Sequence, residues 1–521
     1  QKHFMLTKNN GLTALLRAHA GRVYSVSTAS LVAMTCVYSC ATLVKANPLN
    51  PNSDAAAFVE QQVNQQQTMI NTLADNMWHW AETRFEEQKS SQAMQDILIE
   101  HGFEVDVGVA DMPTAFVARY RLGTASKHLS SASQVTGPVI AILAEMDALP
   151  GLSQGAVPHQ SPIAGKAAGH ACGHHLFGAG SLAAAIAVKN WLVLNKVNGE
   201  IRLYGTPAEE GGSGKVYMVR EGLFNDVDAV LHWHPGGQNT TQPMTTLANK
   251  TAKFRFYGIA SHAAAAPERG RSALDAVEAM NYMVNMMREH VPSDTRIHYV
   301  ITNGGVAPNI VPEFAEVYYY LRTPTASNLP ELWERLEQTA QAAALGTQTK
   351  VDWEIMSGVW STLPNATLAK VTFDAMQRFG GIEYSSNEQT FAEELRPTLN
   401  KRAINQVGNE QIIQPFTDKI YHATASTDVG DISWNVPTAG FVAATWVPGT
   451  APHTWQAVAA GGMSIGHKGM HLASKTLALS SIQLFQQPAL IAKAKIEWKT
   501  RVGNVKYQSQ IGDRAPAIPP K

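Results

Sequence analysis

The run Val139–Glu145, VIAILAE, constrains the fold more than any other stretch. Six consecutive apolar residues leave no wet face for a strand. Such a strand must be covered on both sides, as in a mainly parallel sheet with helices packed over it. The neighbouring segments agree. Ile201–Tyr204 and Ala229–His234 read as further strands, and Ser181–Leu194 (SLAAAIAVKNWLVL) reads as a buried helix. Upstream, a helix is expected from Asp54 past Trp78 towards Glu86, and another over Ser90–His101, stopped by Gly102. Phe103–Val107 and Phe116–Tyr120 alternate like strands. Strands alternating with helices point to an α/β sheet, whose sites lie past the strand C-terminal ends.

The pattern changes near Lys250. Strand 251–259, helix 272–290, strands 295–302 and 314–322, helix 329–344 and strand 349–357 make the order βαββαβ, a ferredoxin-like unit. The simplest organisation is an inserted domain over 250–362 within a larger domain made of 54–249 and 363–485. Strand Ala439–Ala444 and helix Ser464–Phe485 complete the larger part. The basic, proline-containing tail over 486–521 carries no clear element. With 521 residues, of which 45% are hydrophobic, two cores can form. A net charge of −1 without a basic stripe argues against a nucleic-acid partner.

Residues 1–53 read as a leader. Lys2, Lys8, Arg17 and Arg22 precede an apolar run from Val23 to Val44, and small residues surround Ala46. That is the outline of a secretory signal peptide, so export to a periplasm is expected, with the cytoplasm as the alternative. Serines and threonines dilute the run, and no stable membrane span is expected. Cys36 and Cys40 fall in this leader. Cys172 is then alone in the body, which favours a ligand or nucleophile role over a disulfide.

The chemistry centres on GHACGHH at 169–175. His170, Cys172, His174 and His175 fall within six residues, too many for packing alone, and imidazole and thiolate suit zinc or a similar divalent ion. On an extended segment His170, Cys172 and His174 would project to one side. Glu209 and Glu210 follow a strand. Being adjacent, they point different ways, so one can bind metal while the other acts as general base. His232 and His234 flank Trp233, and either is a candidate ligand. His453 lies in a loop before a helical segment, and Asp147 at a strand end is placed to orient a ligand histidine. In the insertion, His262, Asn309 and Arg322 are candidates to hold a substrate carboxylate and polarise a carbonyl. Other patterns fail. GGSGK at 211–215 lacks the phosphate-loop spacing, and there is no HExxH and no GxSxG elbow.

Taken together, AEMDALPG at 144–151, GHACGHH at 169–175, PAEEGGSGK at 207–215, SHAAAAP at 261–267, APNIVP at 307–312 and HTW at 453–455 resemble a known family. It is the metal-dependent amidohydrolases and carboxypeptidases that include aminoacylases and auxin-conjugate hydrolases. TRFEE at 83–87, HWHP at 232–235, GRSALDAV at 270–277, STDVGDISW at 426–434 and HKGM at 467–470 are similar to its branch that cleaves aminobenzoyl-glutamate. The resemblance covers about residues 54–485. It implies a zinc-peptidase-like catalytic domain with two divalent ions, manganese or zinc, and an inserted lid and dimerisation domain. It implies Cys172, His174, Glu210 and His453 as ligands and Glu209 as general base. The broader family matches His232 as a further ligand, and the aminobenzoyl-glutamate branch matches His234. His262 is implied as a catalytic lid residue and Asn309 and Arg322 as substrate-binding, while His170 and Asp147 are read from the residues themselves as supports behind the ligands. His175 departs from the family's common Asp. The implied reaction is hydrolysis of an amide between an aroyl or acyl group and an amino acid, by a homodimer or by a heterodimer with a homologous subunit. The alternatives are a non-catalytic partner subunit and a broad exported dipeptidase.

Overall fold

The computed structural model describes residues 55–123, 136–400 and 406–519. The leader expectation, with Cys36 and Cys40, lies outside the described residues. The strands that build the two main sheets are, in chain order, β1 (Glu104–Val107), β2 (Phe116–Leu122), β3 (Val139–Glu145), β4 (Gly199–Thr206), β5 (Ala229–Gly236), β6 (Ala248–Tyr257), β7 (Arg296–Asn303), β8 (Phe314–Thr323), β9 (Lys350–Val359) and β10 (Thr438–Ala444).

The first sheet runs β1-β2-β4-β3-β5-β10. Its strands β4, β3, β5 and β10 are mutually parallel, while β1 and β2 join antiparallel at one edge. Every residue of β3 is buried, as its unbroken apolar run requires. The covering helices include α1 (Ala55–Trp80), α2 (Gln88–Glu100) and α3 (His174–Asn195). Helix α3 packs on β3 and against α1. It is apolar and long enough to cross a membrane, yet 83% of its most apolar window is buried inside the protein. Its apolar character therefore reflects a core position. The helix begins at His174, seven residues before the expected start at Ser181. Gly173 caps it in a left-handed conformation, φ 79°, and a Cβ there would lie 2.6 Å from the Pro235 ring. Only glycine fits a turn of that sign and closeness.

The second sheet runs β7-β8-β6-β9 and is antiparallel throughout. Helices α4 (Ala273–Met287) and α5 (Leu329–Thr347) pack together over it around Val277, Met280, Phe254, Tyr319 and Trp333. The element order is the expected βαββαβ. Two further helices return to the first sheet, α6 (Ala366–Gln377) and α7 (Ser464–Gln486), and α8 (Pro488–Val502) packs against both. The last lies in the tail, where the sequence pattern marks no element. Indole and phenol groups tie this tail down. Trp498 Nε1 donates to the Ser433 carbonyl (2.9 Å), Tyr507 Oη to Asp431 (2.8 Å), and Trp360 Nε1 to the Gln508 carbonyl (2.8 Å).

One buried acid fastens the chain entering α2. Glu87 accepts from the amides of Phe85 (3.0 Å) and Ala208 (2.9 Å) and from Thr114 Oγ1 (2.8 Å). Burial, helped by the charge of Asp147, pushes its carboxyl up to about 8. An unfolded carboxyl holds its proton only below about 4.5, so the folded state binds the extra proton between these values. The stability it confers is full below the lower value and is lost as pH rises through the upper one. In metal-stripped protein, urea unfolding at pH 5.5 and pH 8 is expected to show wild type losing on the order of 1–4 kcal/mol more than Glu87→Gln. Glutamine keeps an acceptor for the two amides and does not titrate. Equal pH slopes for the two proteins would contradict this.

Candidate metal centre

The parallel strands end at one edge, so the residues just past them converge. β3 delivers Glu145 and Asp147, β4 leads to Glu209 and Glu210, β5 carries His234, and the segment after β10 carries His453. The turn at Gly173 sets Cys172 and His174 beside them. Potential ligand atoms gather in three overlapping groups, each within 4.8 Å: Cys172, His174 and His234; Cys172, Glu210 and His453; Glu145, His174 and Glu209.

Asp147, fully buried, organises two of these side chains. Its Oδ1 accepts from His174 Nδ1 at 3.0 Å, and its Oδ2 accepts from the Glu210 amide at 2.8 Å. The first bond fixes the His174 tautomer and leaves Nε2 bare, as a ligand histidine requires. His234 is oriented likewise. Its Nδ1 donates to the Pro235 carbonyl (2.8 Å), and its Nε2 stands 3.4 Å from Cys172 Sγ. His232 does not join the group. Its imidazole fills the space left by Gly440, its direct partner on β10, where a Cβ would lie 2.2 Å from the ring. His453 enters from a left-handed backbone, φ 61°, held by its amide bond to the Ala171 carbonyl (2.9 Å). Its Nε2 reaches 3.0 Å from Glu210 Oε1.

His170 departs from expectation. The left-handed turn at Gly173 ends the extended run that would have lined it up with Cys172 and His174. Its ring packs at a 45° tilt against His175 (centroids 4.8 Å apart), and its Nε2 bonds the Met77 carbonyl (3.1 Å). It anchors the loop to α1 and orients no ligand. His175, in place of the family's Asp, bonds the Gly461 carbonyl (3.1 Å) from the other side.

The donor set fits divalent cations. His174 Nε2, Glu145 Oε2 and Glu210 Oε1 are buried and make no hydrogen bond. Yet His174 Nε2 lies 3.0 Å from Glu145 Oε2, as Glu210 Oε1 does from His453 Nε2. With Nδ1–H of His174 committed to Asp147, lone pair faces lone pair. A proton or a cation must stand between them. Without metal the proton takes that place. Burial opposes the His174 imidazolium, but Cys172, Glu145 and Asp147 outweigh it and hold it well above the ordinary range. Burial also pushes the Cys172 thiol well up, so metal binding must expel protons. Burial, reinforced by the charges of Glu145, Glu210 and Asp428, raises the Glu209 carboxyl well above its usual value. Raising a carboxyl in this direction is how a site prepares a group to carry a proton.

Glu145, Lys215 and Asp428 lie within AEMDALPG, PAEEGGSGK and STDVGDISW, yet those motifs alone assign them no role. Lys215 is fully buried, with Nζ 2.8 Å from Glu145 and 2.7 Å from Asp428. Asp428 also accepts from the Lys215 amide at 2.9 Å. Burial disfavours a charged Glu145, but Lys215 and then His174 hold it below its ordinary range. The available signals are an acid closing a wholly apolar strand and a lysine opening the short apolar helix Gly214–Arg220.

The three insertion residues lie on the second sheet and its loops. His262 Nδ1 accepts from the amides of Ala264 (3.2 Å) and Ala265 (3.1 Å), so a neutral ring presents Nε2–H outward. The Ala263 amide donates to the Asn309 carbonyl (3.0 Å), which joins the two loops. The Arg322 guanidinium lies 5.5 Å from the Tyr320 ring centroid. Among the described residues, no hydrogen bond or ion pair links these three to the convergent group.

Comparison with known proteins identifies the family of this chain and its fold. Residues 141–401 match the profile of peptidase family M20/M25/M40. The chain is 39% identical to one of the p-aminobenzoyl-glutamate hydrolase subunits of Escherichia coli (strain K12), over 87% of its own length and 97% of that protein. It is 27% identical to the Xaa-Arg dipeptidase of Mus musculus, over 87% and 96%. Among solved structures, a dinuclear metal binding peptidase from the M20 family of Bacillus subtilis shares the fold, with TM-score 0.54 and 15% identity over 81% of this chain and 99% of that one. With its convergent Cys, His and Glu side chains at the strand ends, the chain belongs to peptidase family M20/M25/M40.

Proposed function

We propose that this metal-dependent amidohydrolase cleaves the amide between an aroyl or acyl group and an amino acid, most simply p-aminobenzoyl-glutamate to p-aminobenzoate and glutamate. One observation carries the reaction type. The adjacent carboxylates of Glu209 and Glu210 belong to different ligand groups, Glu210 with Cys172 and His453, and Glu209 with Glu145 and His174. One carboxylate is thereby free for proton transfer beside a ligand set. The substrate rests on the similarity to the Escherichia coli hydrolase subunit.

Two ions, manganese or zinc, suit the donors. Cys172, Glu210 and His453 would hold one, and Cys172, His174 and His234 the other. The dinuclear Bacillus subtilis relative supports the count of two. When bound, such ions polarise a carbonyl and acidify water. Glu209 removes a proton from the attacking water as its oxygen bonds the carbonyl carbon. It returns that proton to the leaving nitrogen as the C–N bond breaks. His262 offers its Nε2–H to the developing oxyanion, from this chain or from a second copy, and Arg322 and Asn309 hold the substrate's α-carboxylate. A cleft of about 280 Å³ beside His234, lined by Pro235, Val442, Trp446 and Pro452, takes the acyl group.

A homologous chain is the proposed partner, as a homodimer or heterodimer. β7 is an edge strand with Tyr299, Val300 and Ile301 exposed, and Tyr282 and Met286 of α4 are exposed one helical turn apart. An apolar edge of this kind invites pairing with another strand.

Glu209→Gln is expected to lower kcat by about 10²–10⁴-fold while metal content, measured by elemental analysis, stays at the wild-type level. Retained turnover would refute the general-base role. Ile301→Lys is expected to shift the wild-type dimer towards monomer in sedimentation velocity at micromolar concentration. An unchanged dimer would place the interface elsewhere.

A further inference from the structure

The segment 81–87 is locked beneath the candidate metal centre yet supplies no ligand. The Glu82 carbonyl accepts from the amide of Ala148, next to Asp147, at 2.7 Å. Glu87 accepts from the amide of Ala208, next to Glu209, at 2.9 Å. The Phe85 ring closes on Gly212, where a Cβ would lie 2.9 Å from it. Ala81 and Phe85 are both left-handed, with φ 46° and 63°. Non-glycine residues hold such conformations only when their surroundings dictate them, and they cluster where function demands them.

What this rigid segment presents is Arg84. Its neighbours' carboxylates are all committed: Glu82 to Ser90 and the Lys89 amide, Glu86 to Thr83, and Glu87 to Ala208 and Thr114. Among the described residues no carboxylate pairs with Arg84, which is exposed. Its Nη1 would lie 3.0 Å from a Cβ on Gly211, the residue that follows Glu210. The charge of Arg84 also reaches Tyr320 of β8. Its hydroxyl is raised by burial and by Tyr318, and the charges of both Arg322 and Arg84 oppose that rise. Tyr320 thus feels two guanidinium charges, that of Arg84 beside Gly211 and that of Arg322 on the second sheet. An exposed guanidinium on a fixed backbone beside such a site, with no carboxylate partner among the described residues, is suited to a ligand carboxylate, which it can bind through two parallel hydrogen bonds.

We propose that Arg84 binds the side-chain carboxylate of the leaving amino acid, so that the site selects N-acyl derivatives of acidic amino acids. Arg322 then keeps the α-carboxylate. The assignment rests on the reading that this site cleaves p-aminobenzoyl-glutamate or a similar N-acyl amino acid, and it adds the residue that reads the side-chain carboxylate. It also separates this chain from an enzyme acting on a cationic residue, because Arg84 repels a basic side chain.

The test compares manganese-loaded wild type, Arg84→Gln and Arg84→Lys on the N-(4-aminobenzoyl) amides of glutamate and glutamine. Arg84 has no carboxylate partner among the described residues, so both variants should fold as wild type does. The preference for the glutamate amide, as a ratio of kcat/KM, is expected to fall on the order of 10- to 100-fold in Arg84→Gln, mainly through KM, and to recover in part in Arg84→Lys. An unchanged ratio overturns the proposal. Titration calorimetry with glutarate and butyrate supplies a readout that needs no turnover. Wild type is expected to bind glutarate more tightly than butyrate, with Arg84→Gln losing that difference. If glutarate binds no better than butyrate, or binds Arg84→Gln equally well, Arg84 has no such role. If neither amide is cleaved while glutarate binding still depends on Arg84, the hydrolysis reading falls and the carboxylate site stands.

Discussion

The centre depends on one buried carboxylate. Asp147 commits its two oxygens to two separate pieces of chain, the His174 imidazole at the start of α3 and the Glu210 amide after β4. Neither bond forms unless the residue itself is fixed, and it follows the wholly buried strand β3. The apolar run that dictates the sheet therefore also fixes the site. Covering β3 on both faces sets Asp147, and Asp147 sets the tautomer of one donor and the backbone of another.

Charge explains the rest of the composition. Glu145, Asp147, Glu209, Glu210 and Asp428 crowd one region, and Lys215 stands buried between Glu145 and Asp428. A buried ion cluster of this kind adds little net stability, because desolvation consumes most of the Coulomb gain. Its effect is electrostatic. Lys215 holds Glu145 ionised at the back of the site, while Glu209, raised by burial and by Glu145, is driven towards its protonated form. Neighbouring acids are thus pushed to opposite protonation tendencies, the condition for one to move protons while the others hold charge.

Much of this is legible in the sequence. The doubly covered strand, the βαββαβ order, and the clustering of Cys172, His174, Glu209, Glu210 and His453 follow from periodicity, ligand chemistry and resemblance. The departures have physical causes. His170 lines up with the ligands only on an extended run, but a left-handed glycine at 173 ends that run and starts the helix early. Strand alternation cannot separate His232 from His234, since both share a face. The choice is made by Gly440 on the adjacent strand, a contact between residues 208 positions apart. Lys215 stands out in sequence as the end of a failed phosphate loop and of the PAEEGGSGK motif, neither of which names its partners. Its partners Glu145 and Asp428 are remote in the chain, so the pattern of one segment cannot reveal them. The tail helix α8 gives no strong periodic signal, and much of its fastening is by single polar groups to distant residues, Trp498 to the Ser433 carbonyl and Glu497 to the amides of Ala366 and Thr367.

Those distant fastenings also account for the strain at the centre. Ala208, Ser213 and His453 are left-handed, with φ 59°, 59° and 61°. Each costs energy that its own loop cannot recover. Each is tied to a remote part of the chain. The Ala208 amide donates to Glu87, Ser213 Oγ bonds Ser357 Oγ of β9 at 2.9 Å, and the His453 amide donates to the Ala171 carbonyl. The segment before α2, the second sheet and the cysteine loop therefore each hold one strained residue of the centre. A loop with this geometry does not exist before those elements are in place, so the ligand set is a product of the whole fold and not of any one motif.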